Sequence, residues 1–312
     1  LSSTVIYTHP VCLDHDTGEY HPECADRIRA ISHILDHEEF MYVPREEAPP
    51  ATVEQILRAH PQGHYDRVMA AVPADGLFEI DGDTMLSPRS GEAALRSAGG
   101  ACAAVDEVAT GRARNVFVAT RPPGHHAERE RPMGFCLFSN AAIAALHARD
   151  AHGFKRVAVV DFDVHHGNGT QDVLWDQPGT FYASTHQADA FPYTGTPEET
   201  GGEGGAVVVN VPLPAGTGPE AFRAAYTDII LPRLAAFAPD FLILSAGFDA
   251  HAADPMAHFR LQVGDFAWLT RQLLDIAKAH AGRRVVSLLE GGYDTRALAA
   301  SVAAHIRVLM EG

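Results

Sequence analysis

The sequence predicts an α/β fold, a mostly parallel central sheet with helices on both faces. Three observations predict it. Short, almost wholly apolar runs recur along the chain, as strands buried on both faces require. Helix-length patterns separate these runs, and strand–helix alternation gives parallel sheets. Several runs end abruptly in carboxylates and histidines, and ligands bind at the carboxyl ends of strands in open α/β sheets.

The candidate strands are residues 5–7, 116–120, 157–161, 180–184, 241–245 and 285–289. Between them, residues 92–110 are Ala-rich and stop at Gly111, and residues 140–150 follow a Ser-Asn cap signal. Residues 220–237 place apolar side chains at 222, 225, 226, 229 and 230. Residues 266–280 end before Gly282, and residues 296–310 close the chain. No internal repeat and no interdomain linker interrupts this order, so a single domain over residues 1–312 is expected. The longest irregular segment, 186–206, is rich in Gly, Pro, Thr and Glu. Loops of that length in a compact domain are often functional.

Composition excludes several classes. The 312 residues are 46% hydrophobic and 21% charged, which is ordinary for a globular protein. A net charge of −16 argues against a nucleic-acid partner, which would call for a basic face. No apolar run is long enough for a membrane span, so no membrane partner is expected. The four cysteines, Cys12, Cys24, Cys102 and Cys136, form no CxxC pair. A disulfide framework or cysteine–zinc cluster is therefore not expected, and a reducing cytoplasm is. Oligomeric state is left open, a homo-oligomer included. Histidine is the unusual count, at eighteen.

The stretch "VAVVDFDVHHGNGTQ" carries the strongest signal. Four apolar residues lead into Asp161, Asp163, His165 and His166. If the strand persists to residue 165, Asp161, Asp163 and His165 share a face. Two buried carboxylates and an imidazole call for a cation, and a divalent metal is the obvious one. Three other strand ends bring similar chemistry. "NVFVATRPPGHHA" delivers His125 and His126, "FLILSAGFDAH" delivers Asp249, and "VVSLLEGGYD" delivers Glu290 and Tyr293 beside two glycines. A mononuclear site of Asp163, His165 and Asp249 leaves positions for water and substrate, which is the catalytic pattern.

These motifs, with "MGFCLFSNAAIAA" and "AGFDAHAADP", resemble the histone deacetylase family, which includes bacterial deacetylases and acetylpolyamine amidohydrolases. The resemblance runs from about Tyr7 to the last helix, and "HHGNGTQ" and "DGDTMLSP" look more like its class II branch. It implies the arginase/deacetylase-like α/β fold and a zinc-dependent deacetylase sensitive to hydroxamates. The substrate it implies is an acetylated lysine in a peptide or protein, or a small acetylated amine such as an acetylpolyamine. Residue by residue, it implies Asp163, His165 and Asp249 as zinc ligands and His125 and His126 as the tandem catalytic histidines. Tyr293 corresponds to the tyrosine that polarises the substrate carbonyl, Asp161 to the carboxylate behind His125, and Asn168 to the residue behind His126. Asp161, Asp163, His165, Ser184 and Thr185 resemble the ligands of a monovalent cation, K+ or Na+. Gly134, Phe135 and Phe191 resemble the acyl-lysine tunnel, Asp83 a rim aspartate, and Met256 the residue at the tunnel mouth. An uncharged Met256 suits a peptide substrate better than a polyamine, whose secondary ammonium would pair with a carboxylate there.

Two features depart from the commonest pattern. Asn168 stands where class I members have Asp, so His126 is expected to be less basic. Cys24 stands in "HPEC" where relatives often have Arg. A dinuclear manganese hydrolase on the same fold would need a second aspartate after Asp249, where the chain has Ala250 and His251. A non-catalytic acyl-lysine reader would have lost the histidine pair or the tyrosine, and the chain keeps both.

Overall fold

The structure is a computed structural model and describes residues 2–312. In chain order its regular elements are β1 (Ser2–Thr8), α1 (Asp26–Leu35), β2 (Arg45–Glu47), α2 (Val53–Leu57), α3 (Gln62–Ala71), β3 (Phe78–Asp81), β4 (Thr84–Leu86), α4 (Ser90–Ala109) and β5 (Ala113–Val118). The second half continues with α5 (Asn140–His152), β6 (Val157–Asp161), α6 (Asn168–Leu174), β7 (Thr180–Gln187), β8 (Val207–Leu213), α7 (Pro219–Ala224), α8 (Leu231–Phe237), β9 (Phe241–Ala246), α9 (Val263–His280), β10 (Val285–Leu289) and α10 (Thr295–Glu311).

Eight strands form one sheet in the order β2-β1-β5-β10-β9-β6-β7-β8, and every neighbouring pair is parallel. Strands β3 and β4 form a separate antiparallel hairpin. The period-two side-chain alternation splits each central strand between two cores. Val157, Val159, Ile243 and Val286 face a layer built from α2 to α6, with Ala98, Val105, Ile143 and Leu146. Ala158, Val160, Leu244 and Val285 face the layer of α1 and α7 to α10, with Ile31, Phe222, Phe266 and Leu298. Because both faces are covered, the strands read as continuous apolar runs, which is why the sequence exposes them.

All six strands expected from the sequence are present, with β6 and β10 at the expected bounds. Two more join at the edges. β8 begins where the long irregular segment ends, at Val207. β2 is three exposed charged residues, so no apolar pattern marks it. The expected helix over 220–237 is a rod interrupted by a π-helical stretch, Ala225–Ile230. Pro232 lacks an N–H and its ring would collide with the carbonyl four residues back, so the wider turn just before it relieves the clash.

Candidate active site

The carboxyl ends of β5, β10, β9 and β6 are adjacent at the middle of the sheet, and the site is assembled on them. Strand β6 stops at Asp161 and does not persist to residue 165. Asp163 and His165 are aligned by the polar contacts of the following bend. The amide of Asp163 donates to the Asp161 carboxylate at 3.1 Å, that of His165 to Asp163 at 2.9 Å, and that of Val164 to Asp249 at 2.9 Å. These bonds bring Asp163, His165 and Asp249 together, with one ligand atom of each within 4.8 Å of the others. His165 Nδ1 lies 3.1 Å from both Asp163 Oδ1 and Asp249 Oδ2. Glycine is needed where backbone meets these carboxylates. A Cβ on Gly291 would sit 2.2 Å from Asp249 Oδ2, and one on Gly247 2.2 Å from Asp163 Oδ2.

The electrostatics are those of a site built for a cation. Asp163 and Asp249 are fully buried. Burial and the charge of Asp163 push the Asp249 carboxyl up to about 7. Burial pulls His165 down, but hydrogen bonds and charge from Asp163 and Asp249 override it and raise it to about 10. Both upward shifts mark a group short of positive charge, which a divalent ion would supply. The donor set of two carboxylate oxygens and one imidazole nitrogen fits zinc, which takes O and N ligands and leaves a position open in catalytic sites.

His125 and His126 lie beside this group with ring centroids 4.0 Å apart, yet their surroundings differ. His125 Nδ1 is 3.0 Å from Asp161 Oδ2, and its Nε2 is 3.8 Å from Asp163. Burial lowers its pKa, but the charges of Asp163, Asp161 and Glu290 raise it well above the ordinary range. His126 Nδ1 is 2.8 Å from the Asn168 side-chain oxygen, a neutral partner. Burial and the charges of His125 and His165 hold its pKa well below the ordinary range. The turn that carries both is pinned by Glu290, whose carboxylate accepts from the amides of Gly124 at 2.8 Å and His125 at 3.1 Å.

Above the histidines is a pocket of about 240 Å³, lined by Gly134, Phe135, Phe191, Asp83, Met256 and Tyr293 as well as His126 and His165. The Phe191 ring meets His126 edge-on at 5.1 Å, and the Phe135 ring meets Tyr293 edge-on at 6.0 Å. Gly134 and Phe135 both have positive φ, at 57° and 70°, and a Cβ at 134 would strike the His126 ring at 2.6 Å. Asp83 Oδ1 accepts from the Gly134 amide at 3.2 Å, so the rim carboxylate also holds this turn. Ser184 and Thr185 are buried on β7, and Ser184 is the register partner of Asp161. The Ser184 hydroxyl meets His186 Nδ1 at 2.9 Å and that of Thr185 meets the Tyr226 hydroxyl at 3.1 Å, so these two lie behind the pocket and not in its lining.

The sequence reading did not single out the supports. Glu23 is fully buried between Arg27 and Arg121, with N–O distances of 2.9 and 2.7 Å. Burial raises the Glu23 carboxyl but the two guanidinium groups override it, bringing it down to about 2. Arg27 also donates to the carbonyls of Glu290 and Gly292 and lies 5.0 Å from the centre of the Tyr293 ring. Asp254 accepts from the amides of Tyr293 at 2.7 Å and Met256 at 2.9 Å, tying the tyrosine loop to the tunnel mouth. Charged residues in "HPECADRI" and an aspartate before Pro255 were visible, but nothing local says that they are buried.

A second group of similar composition lies away from the sheet edge. Asp106 on α4 accepts from His147 Nε2 at 2.7 Å and His152 Nε2 at 2.6 Å on α5. Arg58 Nη1 is 3.1 Å from His147 Nδ1. Arginine only donates, so this Nδ1 accepts and Nε2 carries the proton. A metal at Nε2 would need the opposite tautomer, with its proton aimed at the guanidinium. We therefore read this group as an interhelical hydrogen-bond cluster.

Comparisons with known proteins agree with the geometry. The histone deacetylase domain family matches residues 21–309. The chain is 38% identical to histone deacetylase 14, chloroplastic, from Arabidopsis thaliana, over 98% of this chain and 76% of that protein. It is 40% identical to the histone deacetylase-like amidohydrolase of Pseudomonas aeruginosa, over 93% of this chain and 81% of that protein. The crystal structure of the HDA15 HD domain superposes with a TM-score of 0.94 at 36% identity, covering 99% of this chain and 88% of that one. The chain belongs to the histone deacetylase family.

Proposed function

We propose that the protein is a zinc-dependent deacetylase that hydrolyses acetyl-lysine, or a related acyl-lysine, to a carboxylate and free amine, with residues 1–312 as one catalytic domain. The supporting observation is an aromatic-walled pocket lined by His126, His165 and Tyr293, with Asp163 and Asp249 grouped around His165 and the unlike His125 packed against His126. Asp163, His165 and Asp249 would hold the metal. Bound zinc would supply Lewis acidity to the amide carbonyl and lower the pKa of water.

The chain's own groups do the rest. His126, kept neutral by burial and by the positive charge of His125 beside it, takes the water proton and later returns it to the leaving nitrogen. His125, held protonated between Asp161 and Asp163, stays a fixed positive charge beside the developing anion. The Tyr293 hydroxyl, whose pKa is pushed well up by burial, keeps its proton and donates to the oxyanion, a contribution of about 3 kcal/mol. Phe135 and Phe191 bury the methylene stem at about 0.8 kcal/mol per CH₂. Asp83 grips the substrate backbone at the rim. Asp161, Ser184 and the backbone of Asp163, His165 and Thr185 would hold K+ or Na+ behind the metal ligands.

No helix among the described residues is long and apolar enough to cross a membrane. Acetate release from an acetyl-lysine peptide, abolished by chelation and restored by zinc, tests the reading. Turnover that survives complete removal of metal would overturn it. Running acetylpolyamines beside the peptide separates the two substrate classes.

A further inference from the structure

We propose that Glu128 is a positioning residue for His126 and acts through Asn168. The proposal rests on the reading of His126 as the proton-transferring base. The Asn168 amide sits between two groups. Its oxygen is 2.8 Å from His126 Nδ1, and its nitrogen donates to Glu128 Oε1 at 2.8 Å. The second amide hydrogen faces Met133 Sδ at 3.3 Å.

An asparagine amide can turn over, exchanging its oxygen and nitrogen. Turned over, Asn168 would present its NH₂ to His126 Nδ1 and its oxygen to the Glu128 carboxylate. Two acceptors would then face each other across 2.8 Å. Glu128 therefore fixes which end of the amide faces the histidine. With oxygen toward His126, Nδ1 must carry the ring proton, and the Nε2 lone pair is left for the substrate side. With nitrogen toward His126, Nδ1 would have to accept, and Nε2 would carry the proton in the neutral ring. That tautomer cannot take a proton from water. An aspartate at 168 would need no such orientation, because both its oxygens accept. The requirement for Glu128 follows from Asn168 being an amide.

Glu128 is half-exposed, so its charge is partly screened, and its action is mainly orientational. Its backbone pairs with Arg131, whose carbonyl accepts from the Glu128 amide at 2.9 Å, and this contact survives side-chain substitution. Glu128→Ala should thus leave the fold intact.

The test is steady-state kinetics of the zinc-loaded enzyme on an acetyl-lysine peptide, with zinc content and melting temperature recorded for each variant. Glu128→Ala should lower kcat about tenfold with KM unchanged, since the defect lies in proton transfer and not in ground-state binding. Glu128→Gln can itself turn over and donate to the Asn168 oxygen, so it should fall between Glu128→Ala and wild type in kcat, again with KM unchanged. In an Asn168→Asp background, Glu128→Ala should no longer lower kcat. Wild-type kcat in Glu128→Ala would overturn the proposal. So would an equal loss in the Asn168→Asp background, which would mean that Glu128 acts elsewhere. If His126→Ala itself keeps full kcat, the reading of the base fails, whatever Glu128 does.

Discussion

Two groups in this molecule share a recipe of histidine and aspartate with ligand atoms within 4.8 Å, and their physics differs. Asp163, His165 and Asp249 are buried at the end of the sheet and tied to backbone amides, with excess negative charge. Asp106, His147 and His152 bridge two helices near the surface. One carboxylate there is satisfied by two imidazoles, and Arg58 sets the tautomer of one of them. Burial raises the Asp106 carboxyl, but the two histidine hydrogen bonds override it and hold it below its usual range. In the first group the Asp249 carboxyl is instead pushed up to about 7. The difference teaches that composition and proximity do not make a metal site. The candidate metal group is set apart by two fully buried carboxylates that share one imidazole.

The largest expected effect breaks the comparison most directly. Asp163→Ala or Asp249→Ala should lose zinc and reduce kcat by more than about a thousandfold, while His147→Ala combined with His152→Ala keeps one zinc per chain and normal kcat. Metal analysis by mass spectrometry decides it, and full zinc occupancy in Asp249→Ala would reverse the assignment.

Next in size is Tyr293→Phe. It should keep zinc and fold but lose about a hundredfold in kcat, because the donor acts mainly in the transition state. Wild-type kcat on a saturating peptide would remove the oxyanion role. A hydroxamate, which chelates through two oxygens, should inhibit wild type in the micromolar range or better.

A smaller effect concerns the pocket above the buried group. Wild type should have higher kcat/KM for acetyl-lysine peptides than for an acetylated polyamine, since Met256 is apolar and 39% exposed at the mouth. Met256→Glu should move the ratio about tenfold toward the polyamine. A wild-type preference for the polyamine would mean that selectivity comes from elsewhere, from Asp83 or the 186–206 segment.

The smallest effect extends the comparison to a histidine with no carboxylate at all. His305 is fully buried between the Thr270 and Ser287 hydroxyls, and burial lowers its pKa to about 3. The folded state therefore binds fewer protons than the unfolded state between about pH 6.5 and 3, and stability falls as pH falls through that window. His305→Gln should flatten the acid slope of unfolding by about 1 kcal/mol per pH unit below 6.5. Urea melts at pH 7 and 5.5 with parallel slopes for both proteins would contradict this.

Much of this was legible in the chain, for a physical reason. Strands buried on both faces cannot hide their apolar runs, so 157–161 and 285–289 could be bounded to the residue. The edge strand Arg45–Glu47 is solvated and charged and carries no such signal. The site residues were legible because polar groups placed right after a buried strand must be used or compensated. Their supports were not. Glu23, Arg27, Arg121 and Asp254 look like ordinary surface charges in a one-dimensional reading, and only packing shows them fully or largely buried.

The sequence by itself determined the parallel α/β architecture, the four strand ends that carry chemistry, and the polar residue types there, while the pairing of Asn168 with His126 was implied only by the family resemblance. Periodicity and residue type are local properties, and the first three followed from them. The tertiary structure alone decided that β5, β10, β9 and β6 lie side by side, because strand order depends on which crossovers pack best and not on any one segment. It also decided that hydrogen bonds from Val164 and Gly291, and not a continuing strand, hold Asp249 and Asp163 in place. And it decided that Glu128 stands behind Asn168, since residues forty apart meet only through the fold.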